Sequence, residues 1–405
     1  MTDRSVTIVG AGVAGTRVAQ ALRKREFRGQ VILLGAEAHL PYDKPPLSKK
    51  LITGEAHLDE IYLADDAQLA ALDVDYRPGT CVLGLDPDAP LLRLVDGGNL
   101  AFERLVIASG ATPRLLPGTE SATNVFTVRT VEDSLRVQEA AKNARRACVV
   151  GGGVLGAEIA ASLRTYGIEV TIVELGPSLL PRALPGSAVA ATLLDLHLQA
   201  GVTVRTSTAV RGVAEQTGAV TGLHLDDGTT VETDLVVAAL GIRPDTGWLS
   251  GSGLEVDDGL ICDQFLQTNR QNIYGAGDAV RVRDSARGTS ERAEHWTNAV
   301  EQAEVVAQNL LAGTEDPIAF RPAPYLWSDQ HGERIQVIGT AHGSDVEEVL
   351  RHPSNPHRVL SLFGTGGQFT GAAAIGMPRP VARLRPRLAT PTDFVSAVEL
   401  ARTLV

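Results

Sequence analysis

Val6-Thr7-Ile8-Val9-Gly10-Ala11-Gly12-Val13-Ala14-Gly15 and Ala147-Cys148-Val149-Val150-Gly151-Gly152-Gly153-Val154-Leu155-Gly156 are two versions of one pattern, an apolar run leading straight into G-x-G-x-x-G. Apolar residues then recur at helical spacing, with Val18, Ala21 and Leu22 after the first loop and Ile159, Ala160 and Leu163 after the second. Strand, glycine turn and helix in this order form a dinucleotide-binding unit. The glycines permit a sharp turn, bring backbone against a pyrophosphate and let helix pack on strand, while the helix N-terminus offers free N–H groups to the phosphate. Working outward, Val31-Ile32-Leu33-Leu34 and Val170-Thr171-Ile172-Val173 read as the next strands. Glu174 ends the second of these directly, and Glu37 follows the first after Gly35-Ala36. A carboxylate at either place can accept from ribose hydroxyls.

Each copy closes in a related way. Leu105-Val106-Ile107-Ala108-Ser109-Gly110-Ala111-Thr112-Pro113 and Leu235-Val236-Val237-Ala238-Ala239-Leu240-Gly241-Ile242-Arg243-Pro244 are buried-type strands that end in a glycine turn and a proline. This is an internal repeat, so two similar domains and two dinucleotides are expected. The 405-residue length leaves room for a third, smaller domain. From residue 324 the pattern changes: residues 334–338 alternate, and residues 359–363 and 369–375 flank Gly364-Thr365-Gly366-Gly367 as a hairpin. The fold class predicted is α/β, with two Rossmann-like domains and a small α+β C-terminal domain carrying an antiparallel sheet.

Composition narrows the function. The net charge of −11 opposes nucleic acid or anionic membrane as a principal partner. The mostly apolar uncharged stretch at residues 147–157 is too short to span a bilayer, and a cytoplasmic location is expected. The three cysteines, Cys81, Cys148 and Cys262, form no redox-pair spacing. The nine histidines show no H-x-x-x-H or H-E-x-x-H spacing, so no metal site is expected.

Four further segments are more specific than the glycine loops: residues 40–49 (Leu-Pro-Tyr-Asp-Lys-Pro-Pro-Leu-Ser-Lys), Tyr274-Gly275-Ala276-Gly277-Asp278, Glu294-His295-Trp296-Thr297-Asn298-Ala299 and Trp327-Ser328-Asp329-Gln330. With them the chain resembles the two-dinucleotide-binding flavoproteins, and within these the NADH-dependent ferredoxin reductases of cytochrome P450 and aromatic-ring dioxygenase systems. The resemblance implies FAD on residues 1–112 and 246–323, NADH on an inserted domain, 113–245, and a C-terminal domain over 324–405. The FAD contacts it implies are Gly10, Gly12, Ala14, Gly15, Glu37, Lys49, Val82, Arg129, Asp278 and Trp296. Those to NAD are Gly151, Gly153, Gly156, Glu158, Glu174 and Arg182. Glu174 favours NADH because a carboxylate repels the 2′-phosphate of NADPH, although Arg182 nearby leaves a phosphate tolerable.

In related disulfide reductases a helix beside the flavin carries a cysteine pair, where this chain has Pro45-Pro46-Leu47-Ser48-Lys49. Electrons must leave by another route. The resemblance pairs Lys49 with Glu158 as the catalytic residues, the cation stabilising negative charge on the reduced ring. It implies that NADH gives a hydride to FAD and that the electrons leave singly to a [2Fe–2S] ferredoxin serving a P450 or Rieske-type oxygenase. Trp327 would mark the electron exit, and Arg379 and Arg383, within a basic cluster that includes Arg385 and Arg387, would steer an acidic ferredoxin. A monomer is expected. The rival readings are a redox switch resembling apoptosis-inducing factor and, disfavoured by the missing cysteines, an NADH oxidase or disulfide reductase. The chain departs from the family at Ala36, where an acid is usual, and at Gly376-Met377-Pro378.

Overall fold

The computed structural model describes residues 5–285, 288–313 and 316–405. The chain divides into two compact units, residues 1–44, 58–112 and 242–322 in the first, and residues 45–57, 113–241 and 323–405 in the second.

In the first unit Val6–Val9 lies at the centre of a five-stranded parallel sheet, between Val31–Leu34 and Arg104–Ile107, with Asp75-bearing Val74–Arg77 at one edge and Ile273–Gly275 at the other. Val6–Val9 and Val31–Leu34 are buried throughout and apolar apart from Thr7, because both faces are covered. Helix Val13–Lys24 buries Val18, Ala21 and Leu22 against the sheet and packs on helix Trp296–Ala312.

The second unit repeats this order. Arg146–Val150 is central, between Glu169–Val173 and Leu235–Ala238, with Val202–Arg205 and Val125–Phe126 at the edges. The repeat extends to a pair of three-stranded antiparallel sheets, Val82–Leu85, Leu91–Leu94 and Asn99–Ala101 in the first unit and Val210–Gln216, Ala219–Leu225 and Thr230–Glu232 in the second. Each turns at an Asp-Gly step, Asp96-Gly97 and Asp227-Gly228, whose glycines take φ of 83° and 82°.

The C-terminal residues form a five-stranded antiparallel sheet in the order Tyr325–Gln330, Glu333–Gly339, Gln368–Ile375, Asn355–Thr365 and Val346–His352. Helices Pro378–Leu384 and Phe394–Arg402 cover one apolar cluster of this sheet through Val381, Leu384, Ala397, Val398 and Ala401. Helix Ala188–Gln199 packs on strand Asn355–Thr365.

Residues 45–49, expected on a helix, are a correction. Pro45–Ser48 is a single 3₁₀ turn and the helix that follows is only Lys50–Thr53, because Lys49 breaks the run with a non-helical backbone (φ −124°, ψ −102°) and Gly54 ends it at φ 75°.

Candidate functional site

The two glycine loops are built alike, and each of their glycines has a separate physical cause. Gly10 and Gly151 have φ of 108° and 107°, and a Cβ on either would overlap a carbonyl oxygen of the closing strand's end, Ala108 or Ala239. A Cβ on Gly15 or Gly156 would overlap the carbonyl of Gly10 or Gly151. These four are required by the protein's own packing. Gly12 and Gly153 are not: each is the N-cap of its helix, with ordinary φ of −74° and −69°, and a Cβ there would meet no atom within 4 Å. Neither helix has a side-chain cap. Backbone N–H groups at a helix N-terminus therefore face open space that a side chain would fill, which fits a pyrophosphate at both loops.

In the first unit, Gly277 (φ 82°) lies so close to Ala14 that a Cβ would press on its methyl group, and the Gly277 N–H donates to Gln302 Oε1 at 2.7 Å. Asp278 is thereby carried to the start of helix Val13–Lys24, beside the glycine loop. Glu37 is engaged by its own neighbours: Tyr42 Oη donates to its carboxylate, and Lys44 Nζ lies 2.9 Å from Oε1. Trp296 opens its helix and donates from Nε1 to Asp43 Oδ1 at 2.7 Å. Val82 is buried at the start of its strand.

In the second unit, Glu174 is buried at its strand end and accepts from the backbone N–H of Gly152 at 2.5 Å and of Gly176 at 2.6 Å. It braces the glycine loop. Arg182 is exposed, and Arg129 is half-buried just ahead of helix Val131–Asn143.

The same unit brings Lys49 and Glu158 together. Lys49 Nζ is 2.7 Å from Glu158 Oε2, with side chains 19% and 6% exposed. A buried pair of this kind costs about 3–5 kcal/mol if one partner is removed, because the other is left as an uncompensated charge. Ser48 Oγ donates to Oε2 at 2.5 Å and Ser328 Oγ to Oε1 at 2.7 Å. The 45–49 turn is itself anchored: Ser134 Oγ donates to the Leu47 carbonyl at 2.7 Å and Ser162 Oγ to the Ser48 carbonyl at 2.8 Å. Behind Ser328 stand Gln330, His197 and His331. Sequence reasoning missed Ser48, Ser328, Gln330 and both histidines as partners of Glu158. The signal available was the strand period of two, which places Ser328 and Gln330 on one face, both buried.

Trp327 is half-buried and stacks on Tyr325 with ring centroids 5.8 Å apart. The Arg385 guanidinium covers Tyr325 from 5.0 Å. Arg379 and Arg383 are exposed one helical turn apart on Pro378–Leu384. The three cysteines are free, and burial pushes the Cys148 thiol up to about 12 and raises that of Cys262 as well. No group of metal-ligating side chains forms among the described residues.

Residues 4–303 match the family described as pyridine nucleotide-disulphide oxidoreductase, and residues 325–403 match the reductase C-terminal family. The chain belongs to the pyridine nucleotide-disulphide oxidoreductase family. It is an α/β oxidoreductase whose cofactors are FAD and NAD(H). It is 32% identical to the 3-phenylpropionate/cinnamic acid dioxygenase ferredoxin–NAD(+) reductase component of Photorhabdus laumondii, over 99% of this chain and all of that one. It is 35% identical to putidaredoxin reductase of Pseudomonas putida, over 84% of this chain and 81% of that one. Among solved structures, a ferredoxin reductase from Rhodopseudomonas palustris superimposes with a TM-score of 0.93 at 27% identity, covering 99% of this chain and all of that one. The covalent putidaredoxin reductase–putidaredoxin complex gives 0.91 at 30% identity, covering 100% and 99%.

The glycine loops separate ligand from fold experimentally. Gly153→Ala should cost about 1 kcal/mol of stability, the difference between Gly and Ala at an N-cap, while weakening NADH binding at least tenfold. Gly151→Ala should lower the melting temperature far more, since its Cβ meets backbone. Thermal melts and NADH titration of both variants check this; equal losses of stability would contradict it.

Proposed function

We propose that this chain is a FAD-dependent NADH:ferredoxin reductase that supplies a [2Fe–2S] ferredoxin serving a cytochrome P450 or Rieske-type oxygenase. The observation that carries the reading is the pair of equivalently built glycine loops, one in each unit, in a chain with no dithiol to take electrons onward. FAD, when bound, supplies the chemistry that joins a two-electron donor to a one-electron acceptor. The division of labour is FAD on 1–112 and 246–323, NADH on 113–245 and the ferredoxin-facing surface on 324–405.

Each residue then has a defined task. The N–H groups following Gly12 and Gly153 hold the two pyrophosphates, and Asp278 accepts from the hydroxyl-rich ribitol chain. Glu37, oriented by Tyr42 and Lys44, is the carboxylate available to an adenosine ribose in place of the acid missing at Ala36. Glu174 uses one lone pair of each oxygen on backbone N–H groups, and its remaining lone pairs accept from the NADH ribose while its charge repels a 2′-phosphate. Lys49 supplies positive charge at the redox centre, held in place by Glu158. Val82, Arg129 and Trp296 complete the flavin contacts, and Gly10, Gly15, Gly151 and Gly156 give the loops their shape.

Trp327, stacked on Tyr325, marks the electron exit. Arg379 and Arg383 are the exposed cations that an acidic ferredoxin meets. No helix among the described residues is long and apolar enough to cross a membrane. A monomeric, cytoplasmic enzyme is the form in which we expect it to work.

Anaerobic NADH should bleach the bound flavin within the time of one turnover, and added [2Fe–2S] ferredoxin should restore the oxidised spectrum through many cycles. A reduced complex that persists in the presence of ferredoxin would contradict the reductase reading and favour a redox switch. Ferredoxin turnover should fall as salt is raised, and Arg379→Glu with Arg383→Glu should lower kcat/KM for ferredoxin at least tenfold while leaving flavin reduction by NADH unchanged. Insensitivity to both would remove the steering role of this surface.

A further inference from the structure

Behind the Lys49–Glu158 pair runs a chain of hydrogen bonds that neither cofactor binding nor packing alone requires. Ser328 Oγ lies 2.7 Å from Glu158 Oε1, Gln330 Nε2 lies 2.8 Å from Ser328 Oγ, Gln330 Oε1 lies 2.8 Å from His197 Nε2, and His197 Nδ1 lies 3.0 Å from His331 Nε2. Glu158, Ser328, Gln330 and His197 are 5%, 1%, 1% and 0% exposed, and His331 is the link that reaches partial exposure. The links come from three places in the second unit: helix Val154–Arg164, helix Ala188–Gln199 and the hairpin that joins Tyr325–Gln330 to Glu333–Gly339.

The direction of every bond follows from Glu158. A carboxylate paired with an ammonium group only accepts, so the Ser328 hydroxyl donates to it. That hydroxyl therefore accepts from the Gln330 amide, and the Gln330 carbonyl oxygen must accept from His197, whose proton is then on Nε2. A neutral imidazole has one N–H, so His197 Nδ1 accepts from His331 Nε2–H. One tautomer assignment satisfies every member, and all four donors point toward Glu158. Burial lowers the pKa of His197, and burial together with His197 and the Arg164 guanidinium takes that of His331 down to about 4, so both rings remain neutral. The amide of Gln330 interrupts any simple proton path, and the chain is better suited to orienting than to conducting.

We propose that Ser328, Gln330, His197 and His331 are positioning residues that fix the Glu158 carboxylate, and through it Lys49, so that the chain of aligned dipoles contributes to the reduction potential of the bound flavin. This rests on the reading that Lys49 and Glu158 serve the redox centre, and the experiment separates the two.

The FAD-loaded full chain is titrated reductively to obtain the flavin midpoint potential for wild type, Ser328→Ala, Ser328→Thr, Glu158→Gln and the Ser328→Ala/Glu158→Gln double variant. Glu158→Gln should shift the potential; if it does not, the reading of the pair at the redox centre fails. Ser328→Ala should shift it too, Ser328→Thr should leave it in place, and the Ser328→Ala shift should vanish in the Glu158→Gln background. A potential that moves with Glu158→Gln but not with Ser328→Ala, or Ser328→Ala and Glu158→Gln shifts that simply add, would overturn the positioning role while leaving the pair's own role intact. Independently of any flavin, ¹⁵N spectra of the histidine-labelled protein should show a resonance pair, lost in His197→Asn, with a protonated Nε2 and an unprotonated, hydrogen-bonded Nδ1 at pH 7. The opposite tautomer, or a doubly protonated ring, would overturn the assignment.

Discussion

Two helix N-termini that must remain uncovered govern this structure. At Gly12 and Gly153 nothing in the protein demands glycine, and yet a side chain at either would fill the space in front of the first N–H groups of the helix. A helix that begins on glycine instead of a Ser, Thr, Asp or Asn cap forgoes about a few tenths of a kcal/mol. The loss is offset only when something else accepts from those N–H groups, and a pyrophosphate does so with charge as well as geometry. The remaining loop glycines serve that end. Gly10 and Gly151 let the loop cross the end of the closing strand, and Gly15 and Gly156 let each helix sit directly on its own loop.

The second constraint is the buried charge of Glu158. A carboxylate only 5% exposed survives because it accepts from two hydroxyls and an ammonium group. Those partners come from the proline-rich 45–49 turn and from the C-terminal sheet, segments that fall in one compact unit with 113–241. Lys49 is thus held by structure from widely separated parts of the chain.

Much of this was legible in the sequence. The strand–glycine–helix repeat announced two parallel sheets of the same order, and the hairpin over 359–375 announced the antiparallel C-terminal sheet, because both follow from local patterning. The two Asp-Gly hairpins are not among the elements expected from the sequence: their turns carry a signal, but their short strands lack the long apolar runs that mark the others. The partners of Glu158 were not readable. Ser328, Gln330, His197 and His331 are polar residues whose importance lies in being buried together, and no spacing encodes a meeting between a helix near residue 197 and a strand end near residue 330. Lys49 was found through family resemblance, and its ion pair with Glu158 is a tertiary fact that spacing does not contain. Glu174 was legible as a strand-end carboxylate, though not as the brace between Gly152 and Gly176.

The claim that these two loops are separate sites for two different dinucleotides is tested most directly by stoichiometry. The purified protein should carry one FAD per chain, and an equilibrium titration should then find one further site that takes NADH without displacing the flavin. Two molecules of the same dinucleotide per chain, or NADH that binds only as FAD leaves, would contradict it.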